Sequence, residues 1–260
     1  MASPLGSFLC PPGYAGPTGL RAIAREGSAV TEAARFVRRS RADRRVRDAE
    51  PWATRTVERD LQPVVLVPGF MAGDASLALM ARHLRDLGHR TYRSRMHANV
   101  GCTQAATEAM ERRIEAIITL GSPILAPGAA HPALLFDLAL VVRLQRAGFG
   151  RMMGDDCTSG ACAQESWEQS QAPLPRGLDF TSVFSRRDGI IDWRSCLDPQ
   201  ARTVEVATSH VGMAWDPTVL DVVGDTLVAN RARAQRRAAA GAVDPISSAT
   251  SLAAPDASAG

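Results

Sequence analysis

Two carboxylates and one imidazole stand at places in this chain where chemistry gathers. Asp188 and Asp192 follow the apolar stretch Phe180-Thr-Ser-Val-Phe-Ser185, and His210 follows Arg202-Thr-Val-Glu-Val-Ala207, about twenty residues on from the acids. Each stretch reads as a short strand, and in open parallel sheets function collects beyond the carboxyl ends of strands. An imidazole exchanges protons near neutral pH, and a neighbouring carboxylate can orient it. A third strand-end feature is Pro68-Gly69-Phe70-Met71, which closes the apolar run Pro63-Val-Val-Leu-Val. Among the other histidines, His131 has no acid close in sequence and reads as structural, while His83, His89 and His97 read as surface positions, with a place near the cleft as the alternative for His97.

The elements that must position these groups follow from periodicity. Pro63–Pro68 is a continuous apolar run, as in a strand buried on both faces. Asp74 to Gly88 predicts a helix, with Asp74 as N-cap, Leu77, Met80, Leu84 and Leu87 on one face, and Gly88 as the stop. His89–Arg95 predicts a strand and Thr103–Ala116 a helix, with Ile118-Thr-Leu-Gly-Ser-Pro123 as strand and exit turn. Residues 124–178 are a long excursion holding a helix near 133–147, and Pro217–Arg231 predicts a closing helix. Strands alternating with helices imply a mainly parallel sheet covered on both faces. The division expected is an N-terminal Pro/Gly-rich and basic helical extension (1–61), a core (62–232, with 124–178 as excursion or cap), and a disordered Ala/Ser/Pro-rich tail (233–260).

Bulk composition excludes some classes. The 260 residues are 45% hydrophobic and 22% charged, ordinary for a globular chain. A net charge of +3 is too mild to imply a nucleic-acid partner. All 30 basic residues are arginine, in keeping with GC-rich coding. Many lie in residues 20–48, which read as a solvated helix with a thin apolar face (Val30, Ala33, Ala34, Val37) or as a contact for a membrane surface or an acidic partner. Cys10, Cys102, Cys157, Cys162 and Cys196 contain no CxxC pair, so no metal site is expected, nor any cofactor. Cys157 and Cys162 could close a small disulfide, although reduced thiols fit a cytosolic protein better. No secretory leader or membrane span is readable, which leaves the cytoplasm as the expected location.

With these stretches in order, residues 62–225 resemble small bacterial lipases and esterases of the α/β-hydrolase superfamily. The Val-Pro-Gly-Phe70 stretch is similar to that family's first-strand turn, with proline where histidine is common. Ile118-Thr-Leu-Gly-Ser-Pro123 resembles the strand after the nucleophile helix, Ser-Arg-Arg-Asp188-Gly-Ile-Ile the acid loop, and Ser-His210-Val-Gly-Met the histidine loop. The resemblance implies a three-layer α/β-hydrolase-like fold. It implies His210 as general base, Asp188 as its orienting acid and the Phe70 backbone N–H as an oxyanion donor. Asp192 is the rival acid, and Asp188 is preferred because it sits nearer its strand end. The substrate implied is a small-molecule or lipid carboxylic ester. The apolar residues Leu134, Leu135, Phe136, Leu138, Val141, Val142 and Leu144 are an acyl-pocket or lid candidate beside an ordinary core-helix reading.

One part of that pattern is missing. A Gly-x-Ser-x-Gly elbow mounts the nucleophile on a strand–turn–helix unit, and no serine here is so flanked. The family order places the elbow just before Ile118, where helical periodicity runs straight into a strand. Residues 111–120 hold no Gly, Asn or Pro to break the helix. One central strand and one helix are therefore expected to be absent. Ser122 is the remaining candidate nucleophile, although Pro123 removes the backbone N–H that would usually donate beside it. The expectation is a hydrolase-like chain inactive as it stands. Its alternatives are a non-catalytic binding or scaffold pseudoenzyme, or a truncated gene product.

Overall fold

The computed structural model describes residues 5–49, 61–94, 98–100, 116–149 and 152–241. The chain is mixed α/β. After a 3-10 turn at Ser7–Leu9 come helices α1 (Leu20–Glu26) and α2 (Ser28–Ala49). Strand β1 (Leu61–Leu66) leads through a 3-10 turn at Asp74–Leu77 into α3 (Ala78–Asp86), then β2 (His89–Arg93) and β3 (Ala116–Leu120). Helices α4 (Pro132–Arg146), α5 (Asp156–Ser159) and α6 (Ala161–Gln171) precede β4 (Asp179–Phe184), β5 (Arg202–Glu205) and α7 (Pro217–Gly241).

Among the described residues the named strands pair in parallel and form two sheets. β1 pairs with β2, while β3, β4 and β5 form a second sheet in that order. β1 and β3 do not pair with each other. Each therefore keeps one edge without a strand partner among the described residues. The sheets still share a core. Val64 and Leu66 of β1, Ile118 and Leu120 of β3, Val183 of β4 and Val204 of β5 pack with Met80 and Leu84 of α3 and Val219, Leu220, Val223 and Leu227 of α7. On its other face β4 carries Phe184 into a second cluster with Ala130, Ile191 and Cys196, flanked by Leu134 and Leu135 of α4. Neighbouring residues of β4 thus feed opposite layers, as the period of a strand requires.

Several expectations change in detail. β1 packs on one face only: Val65, and Val67 just beyond the strand, are 44% and 46% exposed while the half-buried Val64 and Leu66 face the core. A continuous apolar run does not distinguish one-sided from two-sided burial, because only a covering element decides that. Asp74 lies inside its 3-10 turn rather than at the cap, which is Gly73, and its carboxylate accepts the Ser94 hydroxyl at 2.7 Å. Ala116, read as the end of a helix, belongs with Ile117 to β3, and the two pair with Asp179 and Phe180. His89 is buried and His83 half-buried, against the surface positions expected. α7 runs past Arg231 to Gly241. The helix expected at 103–116 lies outside the described residues up to position 115, as do His97, Cys102 and residues 242–260 of the tail.

The N-terminal helices are not merely solvated. Val30 and Val37 are exposed, as a thin apolar face predicts, but Phe36 packs against the shared core. Arg35 donates to Asp216 at 2.6 Å, and Asp216 also caps α7 by accepting the Thr218 N–H. Arg39 donates to Asp221 on α7 at 2.8 Å. Polar contacts therefore dock a helix whose hydrophobic pattern does not call for docking. α4 divides likewise: Leu138, Val141 and Val142 are buried, while Phe136 and Leu140 face solvent. Among the described residues, no helix is long and apolar enough to cross a membrane.

Leu84 is fully buried in the shared core. Leu84→Ala is expected to cost about 2–5 kcal/mol by urea denaturation, the usual range for a leucine cavity. Val65→Thr, on the open face of β1, is expected to stay within about 0.5 kcal/mol of the parent.

Candidate active site

The acid loop starts where β4 ends. Ser185 follows the strand, and its hydroxyl donates to the Thr208 carbonyl at 2.6 Å, tying this loop to the one leaving β5. The same hydroxyl accepts the Arg187 N–H. The chain then turns so that Asp188 is almost wholly buried, with Oδ1 accepting the N–H groups of Ile190 at 2.8 Å and Ile191 at 2.7 Å. Two backbone donors fix the plane of the carboxylate and leave Oδ2 directed at one partner. That partner is His210, whose Nδ1–H donates to Oδ2 at 2.7 Å.

This geometry selects the tautomer. An ionised carboxylate only accepts, so the imidazole proton sits on Nδ1 and the Nε2 lone pair is left for chemistry. Nε2 makes no hydrogen bond to any described residue, and the His210 side chain keeps 29% of its surface exposed. Burial pulls the imidazole pKa down. The hydrogen bond and negative charge of Asp188, with the charge of Glu26, outweigh burial and raise it above the ordinary value. The ring rests on Gly121, the first residue after β3. A Cβ there would stand 3.0 Å from Nδ1 and 3.2 Å from both Cε1 and the Met213 sulfur. Gly121 also has φ +60, a region that favours glycine.

Asp192 does something else. Its carboxylate binds the Arg194 guanidinium at 2.7 Å, caps the following 3-10 turn through the Arg194 N–H, and accepts the Ala15 N–H at 3.2 Å. Burial raises its pKa, but these donors outweigh burial and hold the carboxyl below its usual range. The rival acid is thus a structural brace, and it makes no hydrogen bond to His210. His131, read as structural, caps α4 by accepting the Ala133 N–H on Nδ1.

The turn after β1 is braced by Asn99, whose side chain donates to the Pro68 carbonyl at 2.8 Å and whose carbonyl accepts the Met71 N–H at 3.0 Å. Met71 has φ 63, an uncommon conformation for a side-chain-bearing residue. The Phe70 N–H, the expected oxyanion donor, is left without a hydrogen bond to any described residue. Ser122 is half-buried, and its hydroxyl makes no hydrogen bond to His210 or to any other described residue. The structure therefore brings His210 and Asp188 together and joins neither Ser122 nor Asp192 to them.

An open cleft of about 370 Å³ beside Asp188 is lined by Arg25, Arg186, Arg194 and Trp193, with Arg186 stacked 4.4 Å from the Trp193 ring centroid. Asp188 and Asp192 also line it, and Arg186 and Arg194 are paired with Glu205 and Asp192. Among the described residues, no group of three or more His, Cys, Asp or Glu side chains could hold a metal. Cys196 is buried against the second core cluster, which pushes its thiol up to about 12 and leaves it poorly suited to act as a nucleophile.

Sequence reasoning missed Gly121, Asn99, Glu26 and Glu32, all of which touch these loops. The two glutamates accept hydrogen bonds from the acid and histidine loops. Gly121 lay inside a stretch already read as a strand exit, but nothing local marked the other three. No protein-family model matches the chain, and no curated protein matches it significantly.

Two outcomes test the site. The folded imidazole binds its proton more tightly than the unfolded one, so the pair adds stability in full below the ordinary imidazole range. That stability is lost as pH rises through the elevated folded value. Asp188→Asn is expected to lower the His210 titration midpoint by NMR and to flatten this part of the stability–pH curve. Gly121→Ala combines an unfavourable φ with a contact against the ring. It is expected to cost about 1–2 kcal/mol or more and to shift the His210 ring resonances.

Proposed function

We propose that this chain is an α/β-hydrolase-like protein that carries the acid–base half of a carboxylic-ester hydrolase and lacks the nucleophile which that half would activate. The observation that carries the reading is the 2.7 Å contact between His210 Nδ1 and a buried Asp188 whose other oxygen is held by two backbone N–H groups. A carboxylate so held keeps Nε2 of the imidazole basic and stabilises the imidazolium once a proton arrives. In a complete site Nε2 would take the proton of a hydroxyl as its oxygen attacks the ester carbonyl, then return it to the leaving alcohol. The Phe70 N–H would face the oxyanion.

Among the described residues no hydroxyl is hydrogen-bonded to the imidazole, which supports the second half of the proposal. Ser122 makes no hydrogen bond to the imidazole, and Pro123 has no N–H to offer an oxyanion. The sheet is also split where the family order would put a nucleophile strand, between β1 and β3. That split favours, as a second reading, a non-catalytic binding protein or a truncated product. Losing a central strand and helix removes several buried side chains worth about 1.5–3 kcal/mol each, against a total margin of about 5–15 kcal/mol.

The experiment compares the parent chain with Ser122→Ala and His210→Ala in p-nitrophenyl ester hydrolysis and in labelling by a fluorophosphonate probe. The expected result is no labelling and no hydrolysis beyond what free imidazole gives. Labelling that vanishes in Ser122→Ala would show a working nucleophile and overturn the proposal.

A further inference from the structure

We infer that Glu26 and Glu32, on the N-terminal helices, are positioning residues for His210: their carboxylates hold the backbone of the histidine loop and tie it to the acid loop. Glu26 ends α1. Its Oε1 accepts the N–H of Gly189 at 2.8 Å and of His210 at 3.1 Å, and its Oε2 accepts the N–H of Val211 at 3.0 Å. One side chain thus bridges the residue after Asp188 to His210 itself. Glu32 on α2 is 1% exposed; its Oε1 accepts the Ser209 N–H at 2.9 Å and its Oε2 the Ser209 hydroxyl at 2.6 Å. The Ser209 hydroxyl accepts the Gly212 N–H in turn, so the contact passes into the turn Val211–Ala214. The inference rests on reading His210 and Asp188 as the catalytic pair.

Space is shaped to match. A Cβ on Gly189 would stand 2.1 Å from the Ala22 carbonyl oxygen of α1, and one on Gly212 would stand 1.6 Å from Glu32 Oε2. Both loops therefore approach the N-terminal helices as closely as backbone allows, and each does so beside a catalytic-pair residue. The glutamates are not needed simply to dock the helices. Phe36 in the core and the Arg35–Asp216 and Arg39–Asp221 pairs do that farther along α2. Glu26 and Asp188 are the two carboxylates whose charges act on the imidazole, and both favour its protonated form. A carboxylate is the one side-chain group that can take three converging N–H donors.

The test uses the full isotopically labelled chain, with variants Glu26→Gln, Glu32→Gln and Arg39→Ala. In Glu26→Gln an amide NH2 meets N–H groups. The expected result is a loss of exchange protection of roughly tenfold or more at Gly189, His210 and Val211, and a lowered His210 titration midpoint. Ser182 and Val183 of β4 keep their protection and the melt stays cooperative. Glu32→Gln is expected to lose protection at Ser209. Arg39→Ala, which loosens the helix without touching the loop, leaves the His210 titration where it was. Unchanged protection and titration in Glu26→Gln would overturn the inference. So would an equal response in Arg39→Ala, which would make helix docking the cause. So would loss of the cooperative melt in Glu26→Gln, which would make Glu26 a general fold residue. None of these readouts needs turnover, so a failed ester assay leaves the outcome readable and bears on the proposed function alone.

Discussion

A carboxylate taken out of water must find donors for its lone pairs, and the arrangement around Asp188 follows from that demand. At 2% exposure it would be costly to ionise alone. Two backbone N–H groups of its own turn and one imidazole N–H supply what water no longer does. To deliver those donors, β4 and β5 must end side by side, which their parallel register ensures. Ser185 then pins the two exits together by donating to the Thr208 carbonyl. The histidine is where it is because a buried anion needs it there, and the anion is buried because both loops close over it.

The same logic explains how the N-terminal helices attach. Their apolar residues are few, and Val30 and Val37 remain exposed. Phe36 and the Arg39–Asp221 pair hold α2, while Glu26 and Glu32 meet orphan N–H groups at the start of a 3-10 turn, which has no internal acceptors for them. Arg35 meets Asp216, the capping residue of α7. Such contacts gain little net energy when exposed. Glu32 is buried and Glu26 takes three donors, so leaving either set unmatched would cost more than the pairing gains.

The two-sheet arrangement has a different origin. β1 and β3 both direct side chains into the core shared by α3 and α7, so the hydrophobic effect keeps them on one body. A shared core is non-directional, however, and does not supply the ladder of hydrogen bonds that would make them one sheet. The result is a body held together by burial and divided by its hydrogen bonding, with β1 and β3 each keeping an edge without a strand partner among the described residues.

The sequence alone was enough for the mixed α/β class and for β4 and β5 to within a residue or two of their ends, and it singled out Asp188 and His210, whose side chains meet at 2.7 Å. Those depend on local signals: apolar runs of strand length, helical periodicity, and polar residues just past strand ends. It could not tell that Asp192 turns to Arg194, because two acids in one loop differ only in which donors reach them. It could not tell that β1 is open on one face or that His89 is buried, since burial depends on what covers a residue. The part of the site contributed by Glu26, Glu32 and Asn99 was decided by tertiary structure alone. Hydrogen bonds between residues some 180 positions apart leave no period and no spacing in a chain, only a geometry once it has folded.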